Sequence, residues 1–273
     1  MNRSGWLERP GCRVYYEVAG EGPALIFAHG LGGNHLSWWQ QLAHFAPRHT
    51  CVAFAHRGFT PSSPVPGATA PDAYADDLAA LIDELGLKDV CLVAQSMGGW
   101  TCLDYALRFP DRVRALVMAC TSGVIDPRSV AGFDKAAFEA WTARAGQTAA
   151  DLDARGYLAA SGERMAREQP ALATLYRQIY QQTPADFRNA VRGRIRELRI
   201  QPATQLAQLP MPVLFLNGAE DCVFPAPAGP GLAKAAPKGR HVSVPAAGHS
   251  VYFERAGEFN RIVDEFFSST TKP

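Results

Sequence analysis

The chain lacks long hydrophobic runs and has almost no net charge. Of its 273 residues 47% are hydrophobic, yet no apolar run reaches the length of roughly 18 residues that a membrane helix needs. Its 27 lysines and arginines nearly balance its 26 aspartates and glutamates, so no general attraction to nucleic acid or to an anionic membrane is expected. The first residues also lack an apolar stretch of signal-peptide length. We therefore expect a soluble, cytoplasmic protein with no nucleic-acid or membrane partner, and no feature indicates an oligomeric state.

Closely spaced cysteine pairs are missing as well. The six cysteines are scattered from Cys12 to Cys222, and no two of them form the CxxC pair that many zinc sites use. Several lie within apolar runs, which is typical of reduced, buried thiols. We expect neither disulfides nor a metal site.

Short apolar runs, by contrast, recur throughout the chain. Most are hydrophobic at both alternating positions, as strands covered on both faces are. Helical patterns separate them, for example at residues 72–87, so we expect an α/β fold with a mostly parallel, eight-stranded sheet flanked by helices. A hairpin turning at Pro10 and Gly11 is expected to add an antiparallel edge. The apolar runs are residues 14–18, 24–30, 51–58, 90–95, 113–120, 213–218 and 241–248.

One segment interrupts this alternation. Residues 124–206 contain helical patterns and no strand pattern, and prolines at 202, 210 and 212 mark the return to the alternating pattern. An insertion of this length between two strands is too long for an ordinary loop. We interpret residues 124–206 as an all-helical cap, or lid, and residues 1–123 and 207–273 as the core domain.

A serine stands where one apolar run ends. Ser96 follows residues 90–95 and precedes a helical pattern, at the sheet end where open α/β folds bind ligands. A sharp strand-to-helix turn pushes such a hydroxyl clear of the sheet and requires small neighbours, here Ala94 and Gly98. It also aims the Met97 N–H towards an anion forming at the serine. These features favour a nucleophile; the alternative is an ordinary helix-capping serine.

A serine nucleophile requires a base and an orienting acid, and candidates for both follow later in the sequence. His249 comes after the last apolar run, and Asp221 lies three residues beyond Gly218, after the preceding run. A carboxylate there can orient the imidazole and stabilise its positive charge. Glu220 and, more remotely, Asp126 are rival acids, and Asp221 could instead be a turn residue that bonds its own backbone.

The segment "FAHGLGG" has glycines that allow close backbone approach. Leu31 can then direct its N–H towards the nucleophile, so that Leu31 and Met97 together form an oxyanion hole. A flexible glycine turn is the alternative. His29 is expected to brace this loop and not to act in catalysis.

Together these motifs resemble the α/β-hydrolase superfamily, in its esterase, lipase and lactonase branch with a helical cap. The resemblance implies a catalytic triad of Ser96, Asp221 and His249, oxyanion donors Leu31 and Met97, and no cofactor. Two departures stand out. Ala94 replaces the usual first glycine of the elbow, and residues 55–62 lack an aspartate and a glycine common in relatives. We expect this loop to be a solvated turn, with a pocket role for His56 or Arg57 left open.

The substrate pocket is expected to be largely apolar, because aromatic residues are frequent in the inserted segment. The candidate lining residues are Gly30, Trp38, Trp141 and Val223. Four arginines near the end of the insertion are expected on solvated faces, although a carboxylate-binding role is possible: Arg192, Arg194, Arg196 and Arg199.

These features predict a serine hydrolase that cleaves a small or medium carboxylic ester or lactone, with an apolar small-molecule substrate and an acyl-enzyme on Ser96. The same triad also supports carbon-carbon bond hydrolysis, perhydrolysis, or a cofactor-free rearrangement or elimination on a natural-product intermediate. A remoter alternative is a ligand receptor with little turnover.

Overall fold

A computed structural model describes residues 2–270. Eight strands form one sheet: β1 (Arg3–Arg9), β2 (Cys12–Ala19), β3 (Ala24–Ala28), β4 (Thr50–Phe54), β5 (Val90–Gln95), β6 (Val113–Ala119), β7 (Val213–Gly218) and β8 (Gly239–Val244). Their order across the sheet is β1-β2-β4-β3-β5-β6-β7-β8. β2 pairs antiparallel with both β1 and β4, and all other neighbours are parallel. The predicted eight-stranded, mostly parallel sheet is confirmed.

The central strands are buried along their whole length, which explains their uninterrupted hydrophobicity. Every residue of β3 and β5 is buried, since helices cover the sheet. These helices are α1 (Trp39–Phe45), α2 (Tyr74–Glu84), α3 (Gly98–Arg108), α8 (Gly229–Ala235), α9 (Val251–Glu254) and α10 (Ala256–Ser268). The helix α10 shows the expected amphipathic spacing, because Phe259, Ile262, Val263, Phe266 and Phe267 are buried.

Four more helices lie between β6 and β7: α4 (Lys135–Ala154), α5 (Gly162–Glu168), α6 (Pro170–Gln181) and α7 (Ala185–Glu197). We call residues 124–206 the helical insertion. One parallel bridge, between Ile125 and Gln201, joins its two ends. Polar contacts hold the insertion on the rest of the chain: Gln182 Oε1 accepts from Asn34 Nδ2 (2.8 Å), and Gln169 Nε2 donates to the Glu254 carbonyl (2.9 Å).

Within residues 2–270, no helix combines the length and hydrophobicity needed to span a bilayer. The six cysteines are all free, and five of them are buried. The thiols therefore contribute to the core as small apolar side chains.

Candidate active site

Ser96 lies on a strained turn between β5 and α3. Its φ of +47° places a non-glycine residue in the left-handed region, which persists only where the surroundings enforce it. The Ser96 N–H donates to the Ala119 carbonyl at 2.9 Å, and the Ser96 carbonyl accepts from Gly99 N at 2.9 Å. A Cβ on Gly98 would lie 2.1 Å from the Ala28 carbonyl oxygen. This close approach explains why the residue two positions after the serine is a glycine.

His249 and Asp221 form a buried pair beyond the ends of β8 and β7. The His249 Nδ1 lies 2.9 Å from Asp221 Oδ2 and 3.2 Å from Oδ1, and each residue is only 4% exposed. Asp221 Oδ1 also accepts backbone N–H groups from Val223 (2.7 Å) and Phe224 (2.9 Å). These bonds fix the carboxylate, which in turn holds the imidazole with its proton on Nδ1. The other ring nitrogen, Nε2, is left to accept a proton.

Ser96 and His249 border the same cavity, which has a volume of about 530 Å³. No hydrogen bond joins their side chains within the described part of the chain, so proton transfer requires the two groups to move into hydrogen-bond distance. Such tightening on substrate binding is common at catalytic sites. The lining residues include Leu31, Gly32, Gln95, Trp100, Leu158, Tyr176, Tyr180, Ile195 and Val223.

Gln95 connects three parts of the site and was not singled out from sequence. Its Nε2 donates to the His249 carbonyl at 3.1 Å, so it holds the histidine loop against the serine turn. A Cβ on Gly30 would lie 2.0 Å from Gln95 Oε1 and 3.1 Å from Ser96 Cβ. Gly30, a predicted pocket residue, therefore packs behind the serine and is not among the residues that border the cavity. The sequence signal that could have identified Gln95 is its position, as a polar residue at the end of the apolar strand β5.

The predicted oxyanion donors are the backbone amides of Leu31 and Met97. Neither amide donates to another group among residues 2–270. His29 braces their loop: its Nδ1 lies 2.8 Å from the Gly30 carbonyl, and its Nε2 accepts from His56 N at 3.0 Å. Burial lowers the pKa of His29 to about 3. The ring is therefore neutral at physiological pH and serves as a structural brace.

The loop after β4 is not the solvated turn that we expected. His56 is buried, and its Nε2 lies 2.8 Å from Thr101 Oγ1. Arg57 makes two hydrogen bonds to Asp77 on α2, at 2.6 and 2.5 Å. Neither side chain borders the cavity. Local sequence did not reveal this because Asp77, the partner of Arg57, lies twenty residues further along the chain.

Both rival acids have other partners. The Glu220 carboxylate binds Arg164 of the helical insertion, at 2.8 and 2.5 Å. Asp126 binds Arg128 through both carboxylate oxygens. Asp221 is thus the one of the three carboxylates that lies against His249.

The predicted pocket residues occupy different places. Val223 borders the cavity. Trp38 does not: it is fully buried in the core, with its ring 4.4 Å from that of Tyr252. Trp141 is half-buried, and its Nε1 donates to the Asp221 carbonyl at 3.1 Å. It therefore supports the acid-bearing loop from the helical insertion.

Most residues that line the cavity are apolar, as expected, but Arg192, Arg196 and Arg199 also border it and are not confined to solvated faces. Arg194, on the same helix, instead binds Asp72 at the surface. Helical spacing placed these side chains on different faces but did not show which face meets the cavity.

Cys120 lies behind the His249–Asp221 pair and was not predicted to be there. Its Sγ and the potential ligand atoms of Asp221 and His249 lie within 4.8 Å of one another. Burial, together with the negative charge of Asp221, raises the pKa of the Cys120 thiol well above its usual range. The Asp221 carboxylate and the His249 imidazole are hydrogen-bonded to each other, with the Cys120 thiol beside them.

Glu254 tethers the loop that precedes His249. It is 4% exposed, and its Oε1 accepts the Gly248 N–H at 2.7 Å. Burial raises the pKa of Glu254 from 4.5 to about 7. The folded protein therefore holds this proton more tightly than the unfolded chain does, and ionisation of Glu254 favours unfolding.

The Glu254→Gln variant keeps an acceptor for Gly248 but cannot ionise. As pH rises from 4.5 to 7, we expect the unfolding free energy of the wild type to fall relative to that of the variant, by about 3 kcal/mol in total. The difference should then stay constant above pH 8, where both states are ionised. Urea unfolding of the wild type and the variant between pH 4.5 and pH 8 measures this difference in unfolding free energy. A difference independent of pH would contradict the assigned environment.

Comparisons with known proteins agree with this architecture. The sequence profile described as "alpha/beta hydrolase fold" matches residues 23–256. The 3-oxoadipate enol-lactonase 2 of Acinetobacter baylyi is 30% identical over 213 residues, covering 74% of this chain and 72% of that protein. A thermophilic esterase from Thermogutta terrifontis superposes with a TM-score of 0.77 at 23% identity, over 99% of this chain and 100% of that one.

A bromoperoxidase from Bacillus anthracis superposes with a TM-score of 0.76 at 22% identity, over 98% of this chain and 100% of that one. The profile match extends across most of the core and the whole helical insertion. On this evidence, the chain belongs to the alpha/beta hydrolase fold family.

Proposed function

We propose that this chain is a serine hydrolase that cleaves a small or medium carboxylic ester or lactone through an acyl-enzyme on Ser96. The main supporting observation is that Ser96, on its strained turn, borders the same cavity as His249, and that His249 is hydrogen-bonded to Asp221. Similarity to an enol-lactonase at 30% identity supports the substrate class.

In this mechanism the Ser96 hydroxyl attacks the substrate carbonyl while His249 Nε2 takes its proton. Asp221 keeps the imidazole in the required tautomer and stabilises the imidazolium. The Leu31 and Met97 amides stabilise the tetrahedral oxyanion. His249 then protonates the leaving alcohol, and a water molecule, deprotonated by the same histidine, hydrolyses the acyl-enzyme.

We also propose that the helical insertion acts as a cap on the core formed by residues 1–123 and 207–273. Its Tyr176 and Tyr180 border the cavity opposite the serine turn. The Tyr176 hydroxyl accepts a hydrogen bond from Ser250 at 3.0 Å, next to His249. A cap held in this way would exclude bulk water from the reacting groups and strengthen their electrostatic interactions.

Covalent labelling tests the nucleophile directly. We expect a fluorophosphonate to modify the chain once, with the adduct located on the Ser96 peptide by mass spectrometry, and to stop hydrolysis in proportion to labelling. A panel of 4-nitrophenyl esters, lactones and a vinylogous diketone, with a peracid assay, then separates ester hydrolysis from the other reactions of the same triad. Labelling at another residue while hydrolysis continues would refute the proposal. Ligand binding with turnover below about one per minute, far under ordinary enzyme rates, would favour a receptor.

A further inference from the structure

One end of the cavity is positively charged. Arg192, on α7, and Arg196 and Arg199, near and beyond its end, border the cavity. Among the described residues that line it, none is an aspartate or glutamate. An enclosed site with charges of one sign attracts and orients ligands of the opposite sign.

Among the described residues, Arg199 makes no direct ion pair: Asp126 acts on it only at a distance, and that carboxylate is itself bound to Arg128. No salt bridge or side-chain hydrogen bond involves its guanidinium within residues 2–270, and its Nε is a buried donor without an acceptor. The guanidinium stacks on Trp100, with its carbon 4.7 Å from the ring centroid. Burial lowers the pKa of Arg199 to about 10, so it stays charged at neutral pH. Burial of a charge without a hydrogen-bonded counterion is costly.

Trp100 adds a second unsatisfied donor at the same place. Its indole Nε1 is buried and has no acceptor among the described residues, and the side chain also borders the cavity. Native proteins leave few buried donors unpaired, and each such group calls for an explanation. A ligand carboxylate at this end of the cavity would supply the counterion that the Arg199 guanidinium lacks.

Two arginines outside the cavity are paired with carboxylates. Arg194 lies between Arg192 and Arg196 in sequence, yet it binds Asp72 and Glu197. Arg164 likewise binds Glu220 and Glu168. Within the described part of the chain, Arg199 makes no such ion pair, and it lines the cavity.

Resting on the proposed function, we infer that the substrate is an ester or lactone that also carries a carboxylate, which Arg199 binds with support from Arg192 and Arg196. The planar guanidinium matches a carboxylate in two parallel hydrogen bonds. Binding this group would orient the substrate with its scissile carbonyl at Ser96. Arg199 thus becomes the residue that determines substrate specificity.

The kinetic test compares matched substrates that differ only in charge. One pair is mono(4-nitrophenyl) glutarate and its methyl ester, with the carboxylate on the acyl side; the other is 4-acetoxybutanoate and its amide, with the carboxylate on the alcohol side. We expect the wild type to prefer the charged member of at least one pair. In Arg199→Gln, kcat/KM for that member should fall about 10- to 100-fold, mainly through KM, as expected for loss of a charge-assisted bond.

Two further variants separate this role from a structural one. Arg199→Lys should recover part of the preference, since it keeps the charge but loses the planar fork. Arg194→Gln removes an equal charge outside the cavity and should change either substrate by less than about three-fold. In Arg199→Gln, kcat/KM for the neutral substrate should fall clearly less than kcat/KM for the charged substrate. Equal losses for charged and neutral substrates would indicate misfolding of the cap and would overturn the inference.

Calorimetry distinguishes failure of the inference from failure of the proposed function. In Ser96→Ala, glutarate should bind and glutaramide should not, and the Arg199→Gln substitution in that background should abolish glutarate binding. Ser96-dependent hydrolysis without any carboxylate preference or selective glutarate binding would overturn the inference alone. If no ester or lactone were turned over, the proposed function would fail, and calorimetry would still decide whether the cavity binds a carboxylate.

Discussion

Replacement of Ser96 by alanine is expected to lower kcat for the best ester substrate by about 10⁴- to 10⁶-fold, the loss typical of removing a catalytic nucleophile. The substitution removes one hydroxyl oxygen and leaves the backbone bond from residue 96 to Ala119 in place. The fold should therefore survive, and thermal unfolding should remain close to that of the wild type.

Hydrolysis rates measured at saturating substrate, beside a thermal unfolding curve, check this expectation. Ser4→Ala is the matched control, because Ser4 is exposed on β1, far from the cavity in the sheet order. It should retain wild-type activity. A folded Ser96→Ala protein with substantial activity would exclude an acyl-enzyme at this serine.

Replacement of Asp221 by asparagine is expected to lower kcat by about 10²- to 10⁴-fold through the histidine tautomer. The asparagine carbonyl can keep the two backbone bonds that Oδ1 accepts from Val223 and Phe224. Its NH₂ group then occupies the position of Oδ2, facing His249 Nδ1. An NH₂ donor there forces the imidazole proton onto Nε2, which can no longer accept the serine proton.

The neighbouring Glu220→Gln variant is the control for this prediction. Glu220 binds Arg164 and not His249, so its loss should change kcat by less than about three-fold. The two variants are compared by measuring initial rates of hydrolysis of one ester over a range of pH. A large loss in Glu220→Gln and a small one in Asp221→Asn would reverse the assignment of the acid.

Strands and turns that depend on residues close in sequence could be predicted. The apolar runs at residues 90–95 and 213–218 coincide with β5 and β7, because a strand buried on both faces needs continuous hydrophobicity. The small residues around Ser96 indicated the turn, and its φ of +47° confirms the sharp backbone reversal. The last strand was predicted too long: β8 ends at Val244, and Pro245 begins the loop towards His249.

Several contacts between distant residues were not predicted. Trp38 follows the predicted oxyanion loop in sequence. In the folded chain, however, its ring packs against Tyr252, a residue of α9 that is more than 200 positions away in sequence. The charged face of α7 has a spacing typical of a solvated helix, and nothing local distinguishes the cavity-facing Arg192 from the surface-facing Arg194.

Local residue patterns in this chain specify the strands, the helices, the serine turn and the order of the chemical groups, because backbone geometry acts over a few neighbouring positions. The packing of the folded chain settles which side chains share the cavity. His249 and Asp221 are 28 residues apart yet lie 2.9 Å from each other, because β7 and β8 are neighbours in the sheet. The positive end of the cavity likewise arises only in the folded chain, where the helical insertion brings Arg192, Arg196 and Arg199 to the cavity that Ser96 and His249 border.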